Sequence, residues 1–478
     1  MVVTTSNLSD LLITTKDGDW GKDEPQDGFV PYRVIRGGDF PDIRNGDTLK
    51  VPRCYLDKKT VDRRTLQEKD IIIETAGGTR DRPTGRTIFI TKRILEHFDL
   101  PVTCASFARF LRIDPTKAVP EYIYWYLQYL YESGEMWQHQ VQHTGIARFQ
   151  YTRFAKSVEI PLPSRDAQHA IAHILGTLED KIEINRQINQ TLEAMAQAIF
   201  KSWFVDFEPV KAKIAAIEAG EDDEGVTRAA MRAISGKTNE ELDQLQAEQP
   251  DNYTQLKTTA ELFPAAMQDS ELGKIPKGWE IKELKEFGEI VCGKTPSKKE
   301  MQYYENGEFP FIKIPDMRNQ IFPVKTEDKL SKNGAESISK KKLPPFSVCV
   351  SCIATVGMVC ITCEDSYTNQ QINSIIPNEH LTPYYLYFEM KELNDKLHLW
   401  ASGGSATLNL NTNEFSKLKI VSPSREIFHN FSDTVDPLFK KVLLNSLEIE
   451  SLSNLRDSLL PKLLSGELSI DAAKLAGE

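Results

Sequence analysis

Two stretches of the chain carry apolar residues at alternating spacings of four and three. The first row runs Ile171, Leu175, Leu178, Ile182, Asn185, Asn189, Leu192, Ala196, Ile199 and Trp203. The second runs Phe431, Val435, Leu438, Val442, Asn445, Ile449, Leu452, Arg456, Leu459 and Leu463. This spacing keeps one stripe of a helix apolar, and rows this long predict a coiled coil. Gly176-Thr177 and Asp436-Pro437 predict a break in each row, since Asp caps a new helix and Pro is tolerated in its first turn. The expectation is a short helix followed by a long one, the long helices covering about 177–204 and about 437–464. Asn185 and Asn445 place polar groups in the seam, at a cost in stability and a gain in register.

The two rows belong to an internal repeat. Pro163, Ser164, Arg165, His169, Leu178, Lys181, Asn185 and Leu192 recur without gaps at Pro423, Ser424, Arg425, His429, Leu438, Lys441, Asn445 and Leu452. Before each row lies a segment of mixed pattern. The first contains strand-like DIIIETAGG, RTIFITK and PVTCASFARFL, then helical EYIYWYLQYLYES; the second contains FPFIKIPD, FSVCVSCIATVG and YTNQQINSIIP, then PYYLYFEMKELNDKL. The order strands, helix, loop, coiled helix occurs twice, which predicts an α+β fold with a pseudo-two-fold repeat. The expected organisation is a mixed domain over 1–162, a helical region over 163–213, an acidic linker over 214–272, a second mixed domain over 273–422 and a second helical region over 423–478.

A chain of 478 residues is long for one core and fits roughly two to four domains. Hydrophobic residues at 40% and charged residues at 27% describe a soluble globular protein. No apolar run approaches the ~18 residues of a membrane span, and the N-terminus lacks the basic start and apolar core of a signal peptide. A cytoplasmic protein without membrane attachment is expected. Seven cysteines and no secretory signal argue against a disulfide framework. Cys349, Cys352, Cys360 and Cys363 have a spacing that superficially resembles zinc knuckles, but their β-branched surroundings read better as a hairpin with buried thiols, and no metal is assigned.

The net charge of −11 is unevenly spread. Pro31 to Arg93 holds 15 Lys+Arg against 9 Asp+Glu, and Ile214 to Leu272 holds 4 against 13. A basic N-terminal module and an acidic middle are hidden in one total.

Residues 288–295, GEIVCGKT, satisfy the pattern of a phosphate-binding loop. The preceding WEIKELKEF alternates charged and apolar residues, and PSKKEMQYYENGEFP, which follows, carries no helical pattern. Lys294 and Thr295 are therefore expected in a surface loop. Motifs for adenine methylation, dinucleotide binding, serine hydrolysis and zinc proteolysis are absent from the sequence. The chain is expected to be non-catalytic; the alternatives are a nucleotide hydrolase built on GEIVCGKT and a coiled-coil scaffold that binds no DNA.

IPLPSRDAQHAIAHILGTLEDKIEINRQINQTLEAMAQAIFKSWFVDFEP, LRDSLLPKLLSGEL, SCIATVG, TNQQINSI and IPKGWE resemble phrases of the specificity subunit of type I restriction-modification systems. The resemblance covers nearly the whole chain. It implies two target-recognition domains separated by two long helices packed as an antiparallel coiled coil, together reading a split, asymmetric site on double-stranded DNA. It further implies two methyltransferase subunits that use S-adenosylmethionine to modify adenine, and restriction/translocase subunits that use ATP and Mg, with no cofactor in this chain. A helix of about 28 residues is about 42 Å long, or about 12 base pairs, so the two domains would lie about one duplex turn apart. ETAGGTRDRPTGRTIFI in the first domain departs from the SCIATVG type of phrase.

Candidate DNA-contacting residues are Arg36, Arg80, Arg82, Arg86 and Arg148 in the first domain, with Lys294, Lys313, Arg318, Asn369 and Gln371 in the second. Arg pairs bidentately with guanine and Asn or Gln with adenine, while Lys mainly meets phosphate. Phe200, Trp203, Phe204 and Phe207 end the first long helix, and Leu459, Leu460, Leu463 and Leu464 end the second. They exceed what one two-stranded seam needs and are expected to dock the methyltransferase subunits, the alternative being that they cap the coiled coil against the adjacent domain.

Overall fold

A computed structural model describes residues 4–44, 46–78, 83–143, 146–379, 381–394, 397 and 409–468, leaving aside the side chains of 142, 143 and 146. The chain forms two compact units, Met1–Gln187 with Glu448–Glu478, and Ile188–Leu447. Each unit therefore combines one mixed domain with a segment of both long helices.

In the first unit a four-stranded antiparallel sheet has the order Leu12–Asp17, Ala108–Ile113, Ile71–Glu74, Thr87–Phe89. The run Ile71-Ile72-Ile73 is wholly buried because both faces of the sheet are covered. Ile71 and Ile73 pack with Leu111 and with Tyr122 of the helix Pro120–Glu132, while Ile72 packs on the opposite face with Ile35 and Phe110. A second sheet orders Arg53–Asp57, Phe29–Ile35 and Val102–Cys104, the last pair parallel. Thr4–Asn7 pairs with Glu159–Leu162, the strand that leads into the first long helix.

The second unit repeats this plan strand for strand. Its four-stranded sheet orders Gly288–Cys292, Ile372–Pro377, Val348–Ser351 and Val359–Ile361. Its three-stranded sheet orders Asp328–Leu330, Phe309–Ile312 and Tyr367–Thr368, again with a parallel last pair. Glu280–Glu283 pairs with Lys419–Ser422 ahead of the second long helix. The duplication thus includes the mixed domains, where the sequence shows only an order of elements. A further sheet in the first unit joins Gln140–His143, Ile146–Phe149 and Ala76–Gly78; at the matching place in the second, among the described residues, Ile353 bridges Asn409.

The long helices run without the expected breaks. Arg165–Phe200 spans 36 residues and continues into a π-helical turn at Lys201–Val205, and Arg425–Ser465 spans 41. Gly176 faces open space, so it costs only its helical propensity of about 1 kcal/mol. Pro437 forfeits one backbone hydrogen bond, roughly 3 kcal/mol. Phe431, Val435, Phe439 and Val442 are buried on both sides of it, and this packing holds the helix through the proline.

Within each unit the helix segments run antiparallel. In the first, Glu179 accepts from Arg456, and Asn185 donates from Nδ2 to Glu448 Oε2 at 2.9 Å. In the second, Asn189 donates to Ser446 Oγ at 3.3 Å, and Phe200 meets Phe431 at 6.1 Å between ring centroids. Asn185 and Asn445 are both 1% exposed. Their amide nitrogens have different partners, Glu448 for Asn185 and Asn189 Oδ1, at 2.9 Å, for Asn445, whose own Oδ1 is buried without a partner among the described residues.

The region expected as an acidic linker is a helical insert. Glu208–Glu218, Asp223–Ser235, Asn239–Glu248 and Pro250–Leu262 pack around Ala230, Met231, Leu242, Tyr253 and Ala260. The acidic residues are compatible with helices because several sit at N-termini, where the helix dipole favours them. Asp222 accepts from Gly225 N at 2.8 Å, and Thr238 and Glu241 form a reciprocal capping box.

Candidate nucleic-acid interface

In the second unit, the chain leaves the sheet at Gly293. Gly293 N donates to Ile372 O at 3.1 Å and Lys294 N to Thr368 O at 2.9 Å. A Cβ at Gly293 would lie 2.2 Å from Asn369 O, so only glycine lets the two backbones approach this closely. The turn opposite, Asn369-Gln370-Gln371, is fixed by Asn369 Oδ1, which accepts from Gln371 N at 3.1 Å. Thr295 Oγ1 donates to Gln370 Oε1 at 2.6 Å. Cys352 N donates to Gln371 O at 2.8 Å, and the neighbouring Ile353 bridges Asn409. Lys294, Thr295, the 369–371 turn and Asn409 therefore form one corner at the end of the sheet.

GEIVCGKT is this corner rather than a phosphate cradle. Its strand is antiparallel to its neighbour, and residues 293–300 form no helix. The amides of Gly293 and Lys294 are already bonded to sheet carbonyls, which leaves them no free donor for phosphate.

The first unit builds the same corner from unrelated residues. Gly18 N donates to Ala108 O at 3.1 Å and Asp19 N to Cys104 O at 2.8 Å. A Cβ at Gly18 would lie 1.8 Å from Cys104 O. Thr75 N donates to Phe107 O at 2.8 Å, and Ala76 lies opposite Arg148 as Ile353 lies opposite Asn409. Phe149 N donates to Thr75 O at 2.8 Å, matched by Leu410 N to Cys352 O at 2.9 Å. Trp20 and Phe107, each 43% exposed, meet edge to face at 5.4 Å. Arg148, paired with Ala76 whose amide donates to Phe107 O at 3.2 Å, is exposed.

The ten candidate DNA contacts fall into four groups. Arg148 lies at the first corner, and Lys294, Asn369 and Gln371 at the second. Asn369 and Gln371 are half-buried and joined by a 3.1 Å bond from Asn369 Nδ2 to Gln371 Oε1. Arg318 is exposed after the turn Ile314–Met317, and Arg36 is half-exposed with Nη2 at 2.9 Å from Asp39. Arg86 and Lys313 are instead engaged inside their units. Arg86 Nε and Nη2 donate to the buried Glu74 carboxylate at 2.9 and 2.8 Å, and Nη2 also reaches Gly37 O at 2.6 Å. Lys313 Nζ lies 2.5 Å from Glu327 and 3.0 Å from Asp328. Arg80 and Arg82 lie outside the described residues. Trp20, Phe107, Gln370 and Asn409 escape sequence reasoning because each corner joins segments far apart in the chain, and only alignment of Gly18 with Gly293 shows that Trp20 and Phe107 stand where Thr295 and Gln371 stand in the second unit.

The four cysteines with knuckle-like spacing lie in the expected hairpin. Cys349 and Cys360 are cross-strand partners and pack with Val291 and Ile372. Cys352 and Cys363 pack into a different core of the same unit, so the four thiols do not converge. Burial raises the Cys352 thiol to about 11.

The two apolar clusters expected to dock methyltransferase subunits are largely buried inside their own units, as the capping alternative requires. Trp203 meets Phe263 at 5.2 Å and Phe431 at 5.9 Å, Phe204 meets Tyr385 at 5.0 Å, and Phe207 meets Trp279 at 5.7 Å, all inside the second unit. Phe200 is also buried in that core. Leu460, Leu463 and Leu464 are buried in the first unit with Ile171 and Leu175, and Leu459 packs against them. The excess over a two-stranded seam is taken up by the mixed domain of each unit.

Among the described residues no helix is long and apolar enough to cross a membrane. The sequence model of the family described as type I restriction modification DNA specificity domain matches residues 26–194 and 276–454, one match per repeat. The chain is 50% identical over 319 residues to the type I restriction enzyme HindI specificity subunit of Haemophilus influenzae, covering 65% of this chain and 69% of that protein. It is 26% identical over 464 residues to the MjaIX specificity subunit of Methanocaldococcus jannaschii, covering 93% and 91%. A crystal structure of the type I restriction-modification S subunit from M. genitalium shares the fold, with a TM-score of 0.52 at 14% identity over 97% of this chain and 96% of that one. Matched by the family model over most of its length and in both repeats, the chain belongs to the specificity subunits of type I restriction-modification systems.

Proposed function

We propose that this chain reads a bipartite, asymmetric sequence on double-stranded DNA, one half per unit, and directs adenine methylation and restriction by partner subunits. The observation that supports the reading is the repetition of one sheet plan in both units with different exposed side chains at the same corner. A repeated backbone offers two equivalent seats to two copies of one methyltransferase subunit. Divergent corners let the two units prefer different bases. The chain is non-catalytic in this reading and acts in the cytoplasm. Methyltransferase subunits would bring S-adenosylmethionine, and restriction/translocase subunits would bring ATP and Mg. A net charge of −11 is compatible with DNA binding when partner subunits complete the phosphate-contacting surface.

The test is selection from a random-sequence duplex pool by the purified chain with its methyltransferase subunits, at several salt concentrations. Enrichment of a single two-part motif with a fixed spacer is expected. Retention of DNA without sequence enrichment at any salt concentration contradicts the reading.

A further inference from the structure

We infer that the two glycine-held corners are the base-reading sites, and that they read by opposite chemistry: the first unit by apolar contact of Trp20 and Phe107 with a thymine methyl, the second by the amide of Gln370 with adenine. This rests on the function proposed above and assigns its specificity to named side chains.

Four observations carry the inference. The backbone bonds that build the corner recur in both units with lengths equal to within 0.1 Å, 3.1 and 3.1 Å from Gly18 and Gly293, 2.8 and 2.9 Å from Asp19 and Lys294. Both glycines are fixed by contact, since any Cβ would collide with a carbonyl oxygen. The corner is therefore a rigid mount, which a reading side chain requires. What the mount presents differs completely. Trp20 and Phe107 of the first unit occupy the places of Thr295 and Gln371 in the second.

The exposed aromatic pair has no role in its own unit's core, yet its two rings are fixed edge to face. Arg148 lies on the same corner, is exposed, and has no acidic partner among the described residues. An apolar platform flanked by a cation fits a duplex groove, the cation meeting phosphate or guanine and the rings meeting the methyl that only thymine displays. In the second unit Gln370 is exposed, and its Oε1 already accepts from Thr295. That bond orients the amide and leaves Nε2 and one lone pair of Oε1 outward, the two groups needed for the N7 and N6 edge of adenine.

The experiment uses the full chain with its methyltransferase subunits and the motif selected by the wild-type complex. Failure of the wild-type complex to select any motif would sink the proposed function, and with it this inference, before any variant is considered. Given a motif, each thymine in it is replaced in turn by deoxyuridine, which lacks only the methyl group. One position in one half-site should lose affinity by about fourfold, the worth of one buried methyl. Trp20→Ala and Phe107→Ala should abolish that sensitivity and broaden base preference in the same half only. Gln370→Ala should relax preference for adenine in the other half by about tenfold. Thermal melting accompanies each variant, with Trp20→Leu and Phe107→Leu, which keep apolar contact, as replacements for any variant that melts early. The inference is overturned if no thymine is sensitive to the missing methyl, or if folded variants keep the wild-type preference in both halves.

Discussion

Trp203→Ala separates a core residue from a docking residue. Trp203 is 1% exposed and meets Phe204, Phe263 and Phe431 at 6.1, 5.2 and 5.9 Å. Truncating a buried tryptophan costs about 3–5 kcal/mol, through lost transfer free energy and the cavity left behind. The indole Nε1 is buried with no acceptor among the described residues, so its removal recovers about 1 kcal/mol. A net loss of about 2–4 kcal/mol follows. At about 2–4 °C per kcal/mol for a unit of this size, the transition that includes Ile188–Leu447 should fall by roughly 4–16 °C. Calorimetry of the full chain reads this directly, and Trp203→Phe should recover much of it. A fall of less than about 2 °C, together with loss of a methyltransferase subunit in native mass spectrometry, would refute the reasoning and return Trp203 to a docking role.

Arg86→Ala should destabilise the first unit by about 3–5 kcal/mol, because it strands the buried Glu74 carboxylate; an unchanged melting temperature with altered base preference would contradict this. Asn445→Leu should cost about 1–3 kcal/mol by leaving Asn189 short of a partner, whereas Asn189→Leu with Asn445→Leu should lie within about 1 kcal/mol of wild type. Additive losses in a urea double-mutant cycle would show that the two side chains are not coupled. Gly293→Ala should cost about 1–3 kcal/mol by overpacking the corner. Retained stability together with loss of measurable ATP binding would instead revive the phosphate-loop reading of GEIVCGKT.

The long helices are legible because their apolar period of four and three persists over many turns, and the repeat because Pro163 to Leu192 and Pro423 to Leu452 align without gaps. Ile71–Glu74 and Val348–Ser351 are legible as strands because both faces of their sheets are buried. Pro437 misleads because local propensity is overridden by packing that the sequence does not display. The insert at 208–262 misleads because its charges fall on caps and exposed faces, while its small core rests on a few residues such as Met231 and Leu242. Arg86 and Lys313 read as free cations until the fold brings Glu74, Glu327 and Asp328 against them. The cluster at Phe200 to Phe207 reads as surplus until the helix Pro383–Glu392, which carries Tyr385 and Phe388, is packed against it.

Sequencing of modified adenines in cells that carry the methyltransferase subunit, with and without this gene, tests the central claim most directly. The account predicts one interrupted motif, methylated in both its parts, that appears with the gene and vanishes without it. An identical methylation pattern in the two strains would contradict the assignment of sequence recognition to this chain.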